Sequence, residues 1–309
     1  MTKQTAQSKR HRKKKKNSYK YMTYIAFVFI VKDGEEYLSK NLNKIKELNI
    51  NKDIYAVENN SKDNTKEILQ QSNLTKVIHL DLNDNQHSTQ LCATSEAYNC
   101  PKRVRRLAYL RQQGLEAIMN SGIEYDYVCM LDLDFHSFDS QKLHEMFTYM
   151  ENNIEVDGMF GMSNARIDHF FGTTHLPYDT SAVEPLGALA QIIFGSQRYV
   201  DVKSAFSGFG IYRCSSLKNT KYEYDTITDI EHKAFNSQFK KLVVDTHFTP
   251  VYGHVSDMLD KVRIMKDLML RYGVFIVLFI VLVTVCTKIM SSLMRGDTLA
   301  HWNLHGPRR

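Results

Sequence analysis

"YDYVCMLDLDF", residues 125–135, is an apolar run that ends in two aspartates one position apart. Such a run suits a strand buried on both faces. Side chains alternate along a strand, so Asp132 and Asp134 point the same way and their charges repel. A solvated turn could hold the pair. A hard divalent cation would need it, because Mg2+ and Mn2+ are bound through carboxylate oxygens. One Asp-x-Asp tripeptide is weak evidence by itself, and this is the only one in the chain. Its surroundings have to decide.

Just upstream, "RVRRLAYLRQQGLEAIMNSG" (103–122) places Leu107, Leu110, Leu115 and Ile118 on the apolar side of a basic amphipathic helix. Downstream, "SQKLHEMFTYMENN" (140–153) reads as a further helix. Towards the N-terminus, "YIAFVFIV" (24–31), "DIYAVE" (53–58) and "KVIHL" (76–80) are short strands. The segment 32–50 between the first two predicts a helix, with Asp33 as N-cap and Glu35 and Glu36 in its first turn. Its Leu38, Leu42, Ile45 and Leu48 recur at helical spacing. "NNSKDNT" (59–65) is a cluster of turn formers that opens the next helix, "KEILQQ". Strands alternating with helices predict a doubly wound α/β sheet, in which ligands bind beyond the carboxyl ends of the strands. Residues 81–101 are polar and irregular. The region 157–260 mixes short strands with glycine-bearing loops, notably "SAFSGFGIYR" (204–213).

The chain has 309 residues, 43% of them hydrophobic, enough to bury a sizeable core. The net charge of +6 hints at nucleic acid, but Lys9, Arg10, Arg12 and Lys13 to Lys16 supply seven positive charges on their own. The remainder is close to neutral, so the basicity belongs to a tail, residues 1–18, expected to be disordered. Nucleic-acid binding is expected only through that tail. The five cysteines are scattered, with no metal-like spacing, which favours a reducing compartment. "YGVFIVLFIVLVTVCT" (272–287) is uncharged and bracketed by Arg271 and Lys288. Its 16 residues reach roughly 24 Å as a helix, and the flanking cations can snorkel to span a core of about 30 Å. A C-terminal transmembrane helix is therefore expected, against the alternative of a buried core helix. No signal peptide precedes it, which predicts a membrane-associated protein with a cytosolic catalytic domain.

Three segments resemble the nucleotide-sugar glycosyltransferases of the GT-A fold. "VENNSKDNT" (57–65) resembles that family's strand-end acid followed by Ser-x-Asp-x-Thr. "RRLAYLRQQGLEAI" (105–118) is similar to the helix before the metal motif, with its Arg-x-x-Gly element at Arg111 and Gly114. "YDYVCMLDLDF" resembles the metal motif itself. Their order and spacing match over residues 24 to about 150. The branch most similar is that of the capsule-associated and Golgi-type α-mannosyltransferases and their viral relatives. The chain departs from the pattern at Gln112, where the family commonly has Asn.

The resemblance implies a Rossmann-like, doubly wound mixed sheet carrying a hexosyltransferase that uses Mn2+ or Mg2+. A UDP- or GDP-sugar would be the donor, and a glycan, protein or lipid hydroxyl the acceptor. Glu58 would accept hydrogen bonds from the donor's base or ribose, and Arg111 would meet the base or diphosphate. Asp63 would lie near the nucleotide or, with Ser61, shape the turn and cap the helix at Thr65. Asp134 would hold the metal, with Asp132 contacting it or the ribose, and His254 would be a third ligand. Gly208 would lie in the loop under the donor sugar. Asp229 and Glu231 are the candidate catalytic acids, sharing one side if their segment is extended and unaligned if it is helical. The expected organisation is a tail (1–18), a nucleotide-sugar half (19–150), an acceptor and catalytic half of the same domain (151–262) and an anchor segment (263–309). Two competing readings are a membrane-tethered binding protein for nucleotide sugars or anionic polymers, and a sugar-phosphate nucleotidyltransferase. The latter needs a glycine-rich phosphate loop after the first strand, where this chain has a single glycine, Gly34.

Overall fold

The strand β1 (Tyr24–Val31) is apolar along its whole length because both of its faces are covered. Ile25, Phe27, Phe29 and Val31 join one buried cluster, and Ala26 and Val28 join another on the opposite face. The computed structural model describes residues 23–82, 101–169, 172–177, 182–223 and 230–254. The basic tail 1–18 and the apolar run 272–287 both lie outside the described residues. Among those described, no helix is long and apolar enough to cross a membrane.

From β1 the chain passes through α1 (Leu38–Lys46) to β2 (Asn51–Asn59), and through α2 (Thr65–Gln71) to β3 (Lys76–Leu80). Helix α3 (Pro101–Met119) then leads to β4 (Tyr127–Asp132) on the other side of β1. All three pairings among these strands are parallel. There follow β5 (Phe135–Ser137), α4 (Ser140–Asn152), β6 (Gly158–Gly161), β7 (Asn164–His169), β8 (Gly172–Pro177) and α5 (Leu186–Phe194). The described chain ends with β9 (Tyr199–Val202), β10 (Phe209–Arg213), the short α6 (Cys214–Leu217), α7 (Glu231–Asn236), β11 (Leu242–Asp245) and β12 (Val251–His254).

The main sheet has eight strands in the order β3-β2-β1-β4-β10-β6-β11-β9. β10 runs antiparallel to both β4 and β6, and β9 antiparallel to β11, so the sheet is mixed. Helices α1 and α4 cover one face through Leu38, Leu42, Ile45, Leu143, Met146 and Met150. Helices α3, α5 and α7 cover the other, through residues such as Leu115, Ile118, Leu189 and Phe235. Each such side chain contributes about 1.5–3 kcal/mol when fully buried. Contacts divide the chain into two units. The first, Met1–Ala165 with His175–Gly253, holds the eight-stranded sheet. The second is Arg166–Thr174 with His254–Arg309.

The start of the first helix differs from expectation. Helix α1 begins at Leu38 with Tyr37 as N-cap, and no acid lies in its first turn. Asp33 instead takes a left-handed conformation (φ 51°), and its carboxylate accepts from the Lys62 amide at 2.7 Å. A partner 29 residues away in sequence outcompetes the local capping role.

Strand register sets the place of the chemistry. Val31 lies opposite Glu58, Glu58 opposite His79, and Ile30 opposite Asp132. These residues form one row at the carboxyl edge of the sheet. Strand order reverses between β1 and β4, and such a switch point opens a ligand crevice.

Candidate active site

Two loops frame the crevice on the β1–β2 side by bonding to each other. The Asp33 amide donates to Ser61 Oγ (3.0 Å), the Gly34 amide to Thr65 Oγ1 (2.7 Å) and the Glu35 amide to Asp63 Oδ2 (2.9 Å). In return, Glu35 accepts from the side chain and backbone of Asn64. The tight β2–α2 turn passes through Asn60 at φ 56°, a conformation that Asn tolerates better than most residues. Asp63 spends its other oxygen on the Thr65 amide (3.0 Å) at the start of α2. Both of its oxygens therefore serve loop geometry.

Glu58 is fully buried at the end of β2. Its Oε1 accepts from the Ser61 amide at 2.6 Å, and its Oε2 from His79 Nδ1 at 3.0 Å. Burial works against its ionisation, but the hydrogen bonds from His79 and Ser61 outweigh it and hold the carboxyl below its ordinary range. With both oxygens engaged, Glu58 orients His79, whose side chain stays 45% exposed at the end of β3. His79 is a contact surface that no pattern in "KVIHL" announces.

Beside them stands the aspartate pair. Asp132 ends β4, and its amide donates to the Gly208 carbonyl at 2.8 Å. Asp134 is exposed to solvent, although protein is packed densely around it. That crowding, with the charge of Asp132, pushes its carboxyl up to about 6. The phenol of Tyr37 stands in the same field: burial, then Asp134, Asp132, Asp63 and Asp33, raise it well above its usual range, so it stays protonated. From below, Asn41 of α1 donates to the carbonyls of Leu133 and Phe135, both at 2.6 Å.

Arg111 is buried on α3 and forks between two acids. Its Nη2 donates to Asp132 Oδ1 at 3.0 Å and its Nε to Glu231 Oε1 at 3.3 Å, while its guanidinium lies 4.8 Å above the Phe206 ring. Burial disfavours its charge, and Asp132 and Glu231 more than offset this, so the proton is held more firmly than on a free guanidinium. The position depends on Gly114, where a Cβ would come within 2.7 Å of Val28 Cγ2; glycine lets α3 approach the sheet. Gln112 accepts from the Tyr222 amide at 2.8 Å and so ties α3 to a later segment.

Glu231 is the first residue of α7 and is buried against Arg111. Next to it, His232 stacks on Phe206 at 3.5 Å between ring centres. Its Nε2 is a buried nitrogen with no hydrogen-bond partner, 3.8 Å from Glu231 Oε1. Burial, with the nearby Arg111 charge, keeps this imidazole neutral. Gly208 adopts φ 79°, and a Cβ there would sit 2.2 Å from the Tyr252 hydroxyl. That hydroxyl donates to the Gly208 carbonyl at 2.7 Å. Glycine at 208 is thus required by the protein's own packing.

Register and hydrogen bonds bring Glu58, Arg111, Asp132, Gly208 and Glu231 to this edge, with Asp134 two residues beyond β4. Asp229 lies outside the described residues. His254 is the last residue of β12, and only its backbone belongs to the described set. Among the described residues no three His, Cys, Asp or Glu side chains converge as a ready metal site. Among those same residues, the buried charged side chains are Glu58, Arg111, Glu231 and Asp245, and the first three belong here. Sequence reasoning missed Asn41, His79, Tyr37 and Tyr252. For Asn41 a signal exists, since it interrupts the apolar stripe Leu38, Leu42, Ile45 at a core position. A cavity of about 700 Å³ lies elsewhere, between α1 and α4 near Leu48, Leu143 and Phe147, and contains none of these acids.

No protein-family model matches the chain, and neither does any curated protein. Several solved structures share part of its chain path. The 1–349 fragment of S. aureus TarS superposes with a TM-score of 0.48 at 15% identity, over 75% of this chain and 60% of its own. The mannosyltransferase PcManGT from Pyrobaculum calidifontis, in complex with GDP-Man and Mn2+, gives 0.46 at 9% identity, over 74% of this chain and 56% of its own. Glucosyl-3-phosphoglycerate synthase from Mycobacterium tuberculosis, in complex with Mn2+ and UDP, gives 0.42 at 13% identity, over 81% and 80%. The chain therefore spans about three-fifths of the first two. These figures assign it to no family.

Proposed function

We propose that this protein is a metal-dependent glycosyltransferase of the GT-A type, which moves a sugar from a nucleoside-diphosphate sugar to an acceptor hydroxyl. One observation carries the reading: two carboxylates, Asp132 and Asp134, stand at the carboxyl edge of β4 beside the switch point, and among the described residues Asp132 is bonded to a buried cation, Arg111, and Asp134 to none. Among those residues, that leaves an uncompensated, solvent-exposed carboxylate at the sheet edge. Mg2+ and Mn2+ commonly take one or two protein carboxylates and complete their shell with water and substrate phosphates, so the donor set fits. Asp134, with Asp132, would hold the ion. The chemistry such a cation supplies when bound is neutralisation of charge on the leaving diphosphate.

The remaining roles belong to the chain itself. Glu58 fixes His79 at the edge where the nucleoside would lie, while Asp63 keeps the two framing loops closed. Arg111 sets Asp132 against Glu231 and is a positioning residue in this reading. Because Glu231 is committed to Arg111, Asp229 is the proposed base that takes the acceptor hydroxyl proton. The apolar run 272–287 is the proposed membrane anchor, with the catalytic unit on the cytosolic side.

The test is hydrolysis and transfer from UDP- and GDP-hexoses by the full chain, with Mn2+ or with a chelator. Turnover should require the metal, and Asp134→Ala should lower it by about 10²–10³-fold, as for other preorganised electrostatic groups. Undiminished turnover in a folded Asp134→Ala protein would refute the proposal.

A further inference from the structure

Asn41 occupies a position that the fold alone would give to an apolar residue. It shares a helix face with Leu38, Leu42 and Ile45, and like them it is almost wholly inaccessible to solvent. Its amide nitrogen donates both hydrogens, to the carbonyls of Leu133 and Phe135. Those two carbonyls flank Asp134. The amide's orientation follows from this, because the opposite one would set its oxygen against two acceptors. Its oxygen is then a buried acceptor with no hydrogen-bond partner. A side chain that leaves a polar atom orphaned in a core is poorly explained by stability. One turn further along α1, Lys44 donates to the carbonyl of His136, and its ammonium lies 5.4 Å above the Phe135 ring. Helix α1 thus grips the carbonyls of Leu133, Phe135 and His136, on both sides of Asp134, where the chain leaves the main sheet and before the pairing of β5 with β12 takes hold at Phe135.

We infer that Asn41 is the positioning residue for Asp134. By pinning the backbone on both sides, it fixes the direction of the carboxylate at the cleft, much as outer-shell partners orient metal ligands elsewhere. The inference rests on the metal-site reading given above and names a residue for it that touches neither cation nor substrate.

The experiment compares three variants of the full chain. Asn41→Leu keeps the volume and removes both donors, and Asn41→Ser is the milder change should the leucine variant fail to fold. Asp53→Asn is the control. Asp53 lies at the start of β2, accepts from Tyr24, Tyr125 and Thr75, and stands at the opposite edge of the sheet. Thermal melts without metal measure the structural cost, calorimetry measures Mn2+ affinity, and the paramagnetic spectrum of bound Mn2+ reports its ligand geometry. Mn2+ affinity should fall about 10–100-fold in Asn41→Leu, in the range seen for outer-shell changes, and by several-fold in Asn41→Ser. The Asp53→Asn protein should keep wild-type affinity and spectrum whatever its melting temperature. Wild-type Mn2+ affinity in a folded Asn41 variant would overturn the inference while leaving the metal site standing. Absence of Mn2+ uptake by the wild-type chain would instead overturn the reading on which it rests.

Discussion

An ionised carboxylate at position 134 works against the fold that displays it. Protein packed around this solvent-exposed carboxyl, and then the Asp132 charge, push it from 3.8 up to about 6 by favouring the neutral form. The folded state therefore binds this proton more tightly than the unfolded one. The stability that follows is fully present below about pH 4 and is lost as pH rises through about 6. Asp134→Asn should accordingly melt higher than wild type at pH 7.5 in the presence of a chelator, and its advantage should shrink as pH is lowered through 6. A variant that melts lower at pH 7.5 would show that the carboxylate is not a local liability. Arg111 is the converse case, since it compensates the buried Glu231. Removing one member of a buried pair costs about 3–5 kcal/mol. Arg111→Met should show a loss of that order in denaturant titrations, and adding Glu231→Gln should restore part of it. No restoration would mean that Glu231 is not the partner that matters.

At the scale of elements, α3 carries Arg111 only because Gly114 lets it lie close to β1 and β2. A methyl group there meets Val28 and Val57 side chains at 2.7 and 3.1 Å. Gly114→Ala should cost about 1–3 kcal/mol through overpacking. Val28→Ala should relieve it, giving a coupling of about 0.5–3 kcal/mol in a double-mutant cycle. Strictly additive losses would argue against the contact. The same scale shows what could be read from sequence. The run at 24–31 coincides with β1, since a strand buried on both faces leaves an unbroken apolar signature, whereas 76–80 coincides with β3, a half-exposed edge strand that the β-branched pair Val77 and Ile78 marks. The aspartate motif was legible for the same reason, lying where such a run stops. The start of α1 was not, because the acids expected to cap it are taken by the neighbouring loop. In sequence the segment 228–232 is ambiguous between extended and helical; of it only 230–232 are described, and there Arg111, 120 residues away, holds Glu231 at the head of α7. His79 and Tyr252 carry no local signal at all. Their partners, Glu58 and Gly208, come to them only through sheet pairing and chain folding.

Across the first unit, β4 is the seam between the two halves of the chain: β1 pairs with it on one side and β10 on the other. The acid pair comes from the first half. Phe206, Gly208, Glu231 and Tyr252, which support it, come from the second. A fragment ending near residue 153 would expose the open edge of β4 and lose the partners of Arg111, so it should show no cooperative melt by circular dichroism. A sharp transition would establish the first half as self-sufficient. The most direct measurement of all is calorimetric titration of the full chain with Mn2+, alone and together with UDP or GDP. Saturable uptake of the metal, strengthened by one of the nucleotides and lost when Asp132 and Asp134 are both changed to asparagine, is the expected result. A wild-type chain that takes up neither metal nor nucleotide would contradict the assignment of this edge as a sugar-transfer site.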